Sequence, residues 1–299
     1  MSETSLEASL KSTDTEEWID LVFYRPIGYR WALLFQKIGI TPNAVTVASI
    51  FLGVTAGILF YPDDLLMNIG GICLLVWANM YDSADGQLAR LTGQKSELGR
   101  ILDGVAGDLW FISIYAAICL RLMPEWGIWV WVLAAVSGFS HTKQASMADY
   151  YRNIHLFFLK GKTGSELDTA EQQRCLFRSL TWKRSFVRKL FQWFYVNYTH
   201  SQEQLTPRFQ AFFNRMKQDY PDQTPPQSLR QTFCRKSLPL MKYTNILSFN
   251  TRAIVLCLSL LVGLPWVYFV FELTVLNVLF IYMVRKHEHL SASLSAELP

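Results

Sequence analysis

Several common sequence signals are missing from this chain of 299 residues. There is no G-x-G-x-x-G after a predicted strand and no Walker A sequence, which excludes the usual glycine-rich phosphate loops. There is also no G-x-S-x-G, the signature of an exposed nucleophilic serine. The five cysteines show no C-x-x-C spacing, so the sequence favours packed thiols over a zinc site or a disulfide framework. Internal repeats and low-complexity tracts are absent as well.

Long apolar runs are abundant. Hydrophobic residues make up 51% of the chain, and the mean hydropathy is +0.16. They cluster into six segments of a length that suits membrane-spanning helices. Pro42 lies just before the first segment, and Pro62, Asp63 and Asp64 separate the first segment from the second. The sequence therefore predicts an all-α, polytopic membrane protein, with spans at Ala44–Tyr61, Leu65–Arg90, Leu98–Leu122, Trp126–Met147, Ile246–Val262 and Pro265–Val284.

The residues before the first span are polar and then amphipathic. We expect 1–15 to be a disordered tail, and no cleavable signal peptide is predicted because no apolar run opens the chain. Residues 16–40 mix aromatic and aliphatic side chains with arginine and lysine. This pattern predicts a juxtamembrane amphipathic helix at the membrane surface. The alternative is a soluble helix packed on the long insert that follows the fourth span.

A basic insert interrupts the membrane pattern at 152–242. It separates a first region, 16–151, from a second, 243–299. The insert holds sixteen Lys and Arg against six Asp and Glu, although the whole chain has a net charge of only +4. Helices are predicted at Leu176–Tyr195 and Pro207–Lys217. Basic residues interleaved with aromatics suit anionic membrane lipids, with simple intramolecular packing as the alternative, and tethering to membrane spans disfavours nucleic acid.

Basic residues also indicate the orientation of the chain. They flank the second and third spans, fill the insert and follow the last span, whereas the opposite turns carry few. The positive-inside rule therefore predicts that both termini and the aspartates at 82–103 face the cytoplasm. His287 and His289 flank Glu288 after the last predicted span, where we expect a solvated tail.

Three carboxylates and an arginine lie in membrane-like segments. Asp82 and Asp85 share a helix face, with Arg90 beside them, and Gly99 and Asp103 are one turn apart on the next predicted helix. Charges in hydrocarbon are costly, so they face a cavity, pair, or hold a metal. A salt-bridge network with Arg90 is the alternative to a metal, but it would leave surplus negative charge. Carboxylate oxygens favour Mg2+ or Mn2+.

The spacing of these residues resembles the CDP-alcohol phosphotransferase family, also called CDP-alcohol phosphatidyltransferases, with the pattern D-x2-D-G-x2-A-R-x8-G-x3-D-x3-D. Seven of its eight fixed positions are present in this chain. The resemblance implies that the carboxylates bind metal, that small residues give the nucleotide room, and that the arginine contacts phosphate. It also implies a homodimer. The implied metal ligands are Asp82, Asp85, Asp103 and Asp108, and the implied nucleotide-binding residues are Asp82, Gly86, Ala89, Arg90 and Gly99.

The eighth position departs from the pattern, because Gly107 stands where the family has its last aspartate, the proposed base. Asp108 is its neighbour, about 100° farther around an ideal helix. A local π-bulge would bring Asp108 into the site beside the other predicted catalytic residue, Asp103. Alternatively, the site works with three aspartates, or the chain has lost catalysis.

The resemblance implies an activity and leaves rivals open. It implies metal-dependent transfer of a phosphoalcohol group, phosphatidyl if the donor is CDP-diacylglycerol, to a hydroxyl acceptor with release of CMP. Relatives that use inositol phosphate carry several arginines near the end of the fourth span, where this chain offers only Lys143, with Arg152 farther on, so a neutral acceptor is favoured. One rival is a non-catalytic scaffold or lipid-binding protein acting through the basic insert. A transporter is a third possibility, but spans 4–6 carry almost no charge.

Overall fold

The structure is a computed structural model that describes residues 12–94, 97–220 and 225–296. Those residues form helices and turns without a β-strand, which confirms the all-α prediction. They divide into two compact units. The first comprises the chain up to Phe139 together with Phe249–Leu273, and the second comprises Ser140–Ser248 and the chain from Thr274 onward. These units differ from the regions expected at 16–151, 152–242 and 243–299.

The first unit begins with a turn at residues 12–15, where Ser12 and Thr15 are buried, whereas residues 1–11 of the predicted tail lie outside the described chain. A π-helical turn at Asp20–Tyr24 leads into the helices. Those of the first unit are α1 (Arg25–Ile38), α2 (Pro42–Leu59), α3 (Leu65–Thr92), α4 (Glu97–Trp126), the start of α5 (Trp129–Lys160), α11 (Phe249–Leu261) and α12 (Trp266–Phe271).

Local sequence sets the helix ends that bracket the motif. The Thr41 side chain accepts a hydrogen bond from the Ala44 amide, and Pro42 occupies the first turn of α2. The Asp64 carboxylate accepts from the Met67 amide, 2.8 Å away, and starts α3. Gly93 ends α3 at a φ of +69°, a left-handed conformation that glycine adopts without a steric penalty.

Small residues allow close helix packing in the first unit. Helix α2 packs along both α3 and α4, and α1 packs on α3. A Cβ on Gly57 of α2 would lie 2.9 Å from the backbone nitrogen of Ile114 on α4. In a membrane, such small residues let helices approach and gain van der Waals contact. The resulting core includes Ala56, Phe60, Leu75, Ala78, Trp110, Ile114 and Ile118.

The second unit holds the insert and the chain's last helix. Its helices are the end of α5, α6 (Ala170–Ser179), α7 (Phe186–Gln204), α8 (Pro207–Asp219), α9 (Gln227–Ser237), α10 (Met241–Ile246) and α13 (Asn277–Ala296). Helix α8 confirms the helix predicted at Pro207–Lys217. The helix predicted at Leu176–Tyr195 is wrong as a single element, since Leu180 is extended and the chain turns between α6 and α7. No glycine or proline marks that break.

Five helical stretches of the described chain are long and apolar enough to cross a membrane: Pro42–Leu59, Leu65–Thr92, Ile101–Trp126, Gln227–Leu261 and Trp266–Ala296. They confirm a multi-pass membrane protein. The fourth predicted span, Trp126–Met147, falls largely in α5 but does not qualify as a sixth such stretch. Its second half carries Ser140, His141, Lys143 and Gln144, which lower the hydropathy of the segment. The membrane-surface position of α1 stays a prediction.

Two polar clusters differ from what the sequence suggested. In the first unit, Arg252 donates to Glu272, and Tyr115 donates to the same carboxylate, so the few charges of the last spans form one buried cluster. In the second unit, the expected solvated tail is folded. There, His287 is buried against Tyr151 with ring centroids 3.9 Å apart, and Glu288 accepts from the first amides of α8.

Candidate active site

Helices α3 and α4 bring three of the predicted carboxylates together. Carboxylate oxygens of Asp82, Asp85 and Asp103 all lie within 4.8 Å of one another. Asp85 is buried, Asp82 is half-buried and Asp103 is exposed, so the group extends from the packed interior of the helices to the surface. Like charges at such a separation repel by roughly 3 kcal/mol per pair at an effective dielectric constant of about 20, less where water screens Asp103. The arrangement therefore favours a bound cation.

Helix α2 contributes a hydroxyl to this group. Thr46 is buried, and its Oγ1 donates to Oδ2 of Asp85 at 2.5 Å. The same hydroxyl lies 3.1 Å from the Pro42 carbonyl oxygen. A hydrogen bond to an ionised carboxylate is stronger than one between neutral groups. Thr46 therefore fixes the orientation of Asp85 within the carboxylate group.

Helix α1 packs on the opposite side of the motif. A Cβ on Gly28 would lie 3.0 Å from Cβ of Ser83, so α1 approaches α3 closely at this point. Arg25 donates to Ser83 Oγ at 3.4 Å and forms a two-pronged ion pair with Glu16 at 2.9–3.1 Å. Gln87 in turn donates to the Arg25 carbonyl at 3.1 Å. These contacts hold the motif segment of α3 in place.

Small motif residues surround the arginine. A Cβ added to Gly86 would lie 3.3 Å from Nη1 of Arg90, so the guanidinium folds back over the preceding turn. A larger residue at 86 would displace it. Ala89 and Gly99 are half-buried on α3 and α4. The arrangement leaves a donor fork beside the carboxylates, a geometry suited to phosphate oxygens.

Asp108 is not brought into the carboxylate group. It is exposed on α4, and the helix is α-helical over Glu97–Trp126 without a π-turn. The bulge that would rotate Asp108 into the position of Gly107 is therefore absent from α4. In a regular helix the two positions point about 100° apart. A catalytic role for Asp108 stays a prediction.

The donors fit a hard divalent cation. Three carboxylates from two facing helices supply oxygen ligands, which Mg2+ and Mn2+ prefer over nitrogen or sulfur. No cysteine or histidine belongs to this group among the described residues. The residues present thus suit the metal that the motif implies, without distinguishing magnesium from manganese.

Sequence reasoning missed the residues that support the site. Arg25 was read only as part of an amphipathic segment, and Thr46 as one residue of an apolar span. Thr46 lies 39 positions from the carboxylate it contacts, and nothing in the spacing of α2 marks it. A buried hydroxyl in a span is the signal that could have raised the question, since such groups seek partners.

Comparisons with known proteins agree with this site. Residues 39–155 match the family model described as CDP-alcohol phosphatidyltransferase. A segment of 92 residues is 35% identical to an archaetidylinositol phosphate synthase of Pyrococcus horikoshii, covering 31% of this chain and 47% of that protein. The chain thus spans about half the length of this curated relative. Residues 39–155 of this chain are thus similar to the CDP-alcohol phosphatidyltransferase family.

Proposed function

We propose that this protein transfers a phosphoalcohol group from a CDP-alcohol to a hydroxyl acceptor and releases CMP. The observation that carries the proposal is the group of three carboxylates within 4.8 Å on α3 and α4, at the spacing of the matched family. Five apolar helices fit an amphiphilic substrate, because the reacting phosphate of a lipid lies at the membrane surface.

In the proposed reaction, the acceptor oxygen bonds to the donor phosphorus while the bond from that phosphorus to CMP breaks, and the hydroxyl proton passes to a base. Asp82, Asp85 and Asp103 would hold Mg2+ or Mn2+, which when bound neutralises charge on the phosphoryl oxygens and the leaving group. Arg90 would contact a phosphate oxygen through its planar fork, beside the space at Gly86. Ala89 and Gly99 would keep side chains out of the nucleotide's way.

The base is the open part of this site. Because Asp108 lies outside the carboxylate group, we favour a site that works with three aspartates, with Asp103, the exposed member, nearest to solvent and acceptor. Asp108 would become the base only if α4 rearranged locally when substrate binds. Catalytic hydrogen bonds often tighten only in the substrate complex, so substitution is the decisive test.

The acceptor we propose carries no phosphate. Lys143 donates to Ser201, and Arg152 donates to Asn245 at 3.0–3.2 Å and to Ser248 at 2.7 Å. These basic residues, the ones available near the end of the fourth predicted span, thus have partners within their own unit. The Pyrococcus protein is named for an inositol phosphate product, but a neutral polyol, amino alcohol or lipid hydroxyl suits this chain better.

The remaining features of the proposal come from the family resemblance and the charge pattern. We propose CDP-diacylglycerol as the donor, a homodimer as the assembly, and a cytoplasmic position for the site and both termini. The charge pattern supports this orientation, since Lys and Arg concentrate in the insert and at the end of the last span.

The test is CMP release by the purified protein in liposomes, with CDP-diacylglycerol and a panel of alcohols, with and without Mg2+ or Mn2+. We expect metal-dependent release that Asp82→Asn abolishes and that Asp219→Asn, an exposed aspartate on α8, leaves unchanged. Release that continues without divalent metal, or in the Asp82→Asn variant, contradicts the proposed site.

One observation favours a second candidate function. The family's last aspartate is replaced by Gly107, and Asp108 lies outside the group, which suits a membrane protein that binds a CDP-alcohol or lipid without turnover. This function predicts that CDP-diacylglycerol binds with metal present while no acceptor yields CMP. Binding and release measured on one preparation separate the two functions.

A further inference from the structure

The insert contains a two-helix hairpin that the proposed reaction does not use. It consists of α6, the turn 180–185 and α7, and we call it the α6–α7 hairpin. A capping box starts α6: the Thr169 side chain accepts from the Gln172 amide, and the Gln172 side chain accepts from the Thr169 amide. At its base, Tyr195 donates to Asp168 at 2.8 Å, and the Ala170 amide donates to Glu203 at 2.8 Å. The hairpin is thus a defined element, and Asp168 and Glu203 are hydrogen-bonded at its base.

Burial in this hairpin is opposite to that of a soluble protein. Gln173 and Gln192 are buried between its helices, and Gln192 Nε2 donates to Gln173 Oε1 at 2.6 Å. The large apolar side chains face outward instead. Phe186 is 61% exposed, Val187 62% and Phe194 57%. Contiguous apolar surface of this kind marks an interaction site.

Aromatic rings and a lysine form a cluster around the turn. Trp182 packs between Phe177 and Phe186, with ring centroids 6.3 Å and 5.6 Å away. The Lys189 ammonium lies 4.6 Å from the Phe177 ring centroid and donates to the Leu180 carbonyl. Tryptophan with basic neighbours is typical of the membrane–water interface, where the ring lies at headgroup depth and the charge reaches water.

The charge of the exposed surface is one-sided. Between residues 170 and 190 the hairpin carries six basic residues and one acidic residue, Glu171. Most of the basic side chains are exposed alongside the aromatic ones. The basic residues are Arg174, Arg178, Lys183, Arg184, Arg188 and Lys189. A purely apolar partner would leave the basic side chains without a counter-charge. A membrane surface with anionic headgroups suits both the basic and the aromatic side chains.

We propose that the α6–α7 hairpin docks on the anionic lipid surface of a membrane. Its aromatic side chains enter the headgroup region, and its arginines and lysines contact lipid phosphates. The same polypeptide spans a membrane, so docking is intramolecular and modest affinity suffices. This inference concerns a surface outside the matched domain and does not depend on catalysis at the aspartates.

The test measures where spin labels on the full-length protein lie. The native Cys175, exposed on α6, is labelled after the other four cysteines are replaced by serine, and Val187→Cys gives a second position in a cysteine-free chain. Asn214→Cys, exposed on α8, is the matched control. In nanodiscs of phosphatidylcholine with one quarter phosphatidylglycerol, collisions with oxygen relative to a nickel chelate should rise several-fold at 175 and 187 over 214.

Charge variants then identify the lipid chemistry. Each basic residue at an anionic surface contributes a factor of about five, so Arg184→Gln with Arg188→Gln should lower the ratio of docked to undocked label about thirtyfold. The lysine double variant keeps the charge and should dock normally. Circular dichroism confirms that each variant is folded.

Three results would overturn the proposal. The first is a hairpin label as accessible to the nickel chelate as position 214. The second is equal docking in nanodiscs of phosphatidylcholine alone, which would mean that anionic lipid is not recognised. The third is a label shielded from oxygen and from the nickel chelate alike, which would indicate a protein partner or a second copy of the chain.

Discussion

Thr46 offers the sharpest test of how the fold supports the carboxylates. Replacing it with valine keeps the shape of the side chain and removes the hydroxyl that donates to Asp85 at 2.5 Å. Because Thr46 and Asp85 are both buried, water cannot readily replace the lost donor. We expect Asp85 to lose its fixed orientation, and the protein to bind divalent metal more weakly.

The size of the effect follows from the contact. A hydrogen bond to a charged group contributes about 1.5–3 kcal/mol, which corresponds to roughly 10- to 150-fold in an equilibrium constant. Removing a group that supports a metal ligand typically costs 10- to 100-fold in metal affinity or activity. We therefore expect Thr46→Val to weaken Mn2+ binding by a factor between about 10 and 100.

The assay is Mn2+ binding followed by electron paramagnetic resonance, together with the metal dependence of CMP release. Thr46→Ser keeps the hydroxyl and should bind Mn2+ like the parent protein. Thr55→Val is the matched control, since Thr55 lies on the same helix, is exposed and donates to the Phe51 carbonyl at 2.7 Å. Equal Mn2+ affinity for all three variants would refute the role assigned to Thr46, and a loss in Thr55→Val would trace the effect to α2 itself.

Three further predictions address stability and the base. Glu272→Gln should lower the free energy of unfolding in detergent by about 3–5 kcal/mol because Arg252 is left buried without its counter-charge, and Leu at both positions should recover much of the loss in the same thermal unfolding assay. Asp108→Asn should release CMP at close to the parent rate, and a loss of about a hundredfold or more would instead identify a base. Gly57→Ala should lower the melting temperature through a clash with α4 worth about 1–3 kcal/mol, whereas Gly70→Ala, with Leu59 Cδ1 at an ordinary 3.7 Å, should not.

The sequence predicted the membrane helices well because their signals are local. Proline at 42 and aspartate at 64 open α2 and α3 in the structure, close to the predicted span starts. Apolar runs bounded by such residues need no distant partner to be recognised. The fourth predicted span also rests on a local signal, the apolar residues at 129–139. In that prediction these residues outweighed the polar second half of the segment.

The insert was harder to predict because its helices depend on contacts that sequence patterns do not encode. The break between α6 and α7 occurs at Leu180, which has no helix-breaking character of its own. The helical periodicity of the sequence therefore continues across the break, and the sequence predicts one helix where the structure has two. The buried Gln173–Gln192 contact joins residues 19 positions apart, and this pairing of polar side chains inside the hairpin accompanies the outward position of its aromatic residues.

The residues of the candidate site also fall into two groups, those that local spacing could predict and those that it could not. The three aspartates were found because Asp82 and Asp85 lie one turn apart on α3 and Asp103 follows at the family's spacing on the next helix. Thr46 and Arg25 reach the motif from other helices, 39 and 58 positions away from their partners Asp85 and Ser83. Spacing within a motif holds no information about such contacts.

Asp108 shows why a regular helix is informative. Glycine occupies the last motif position, 107, and the nearest carboxylate, Asp108, is one residue farther along the chain. Whether Asp108 can reach the other aspartates depends on the conformation of the helix backbone. Elsewhere in the first unit the chain does make a π-turn, at Asp20–Tyr24, so such a turn is within its means. Helix α4 makes none, although Gly104 and Gly107 would permit it. The regular α4 backbone thus favours a proposed site of three aspartates over a shifted site of four, and the rate of the Asp108→Asn variant measures that difference.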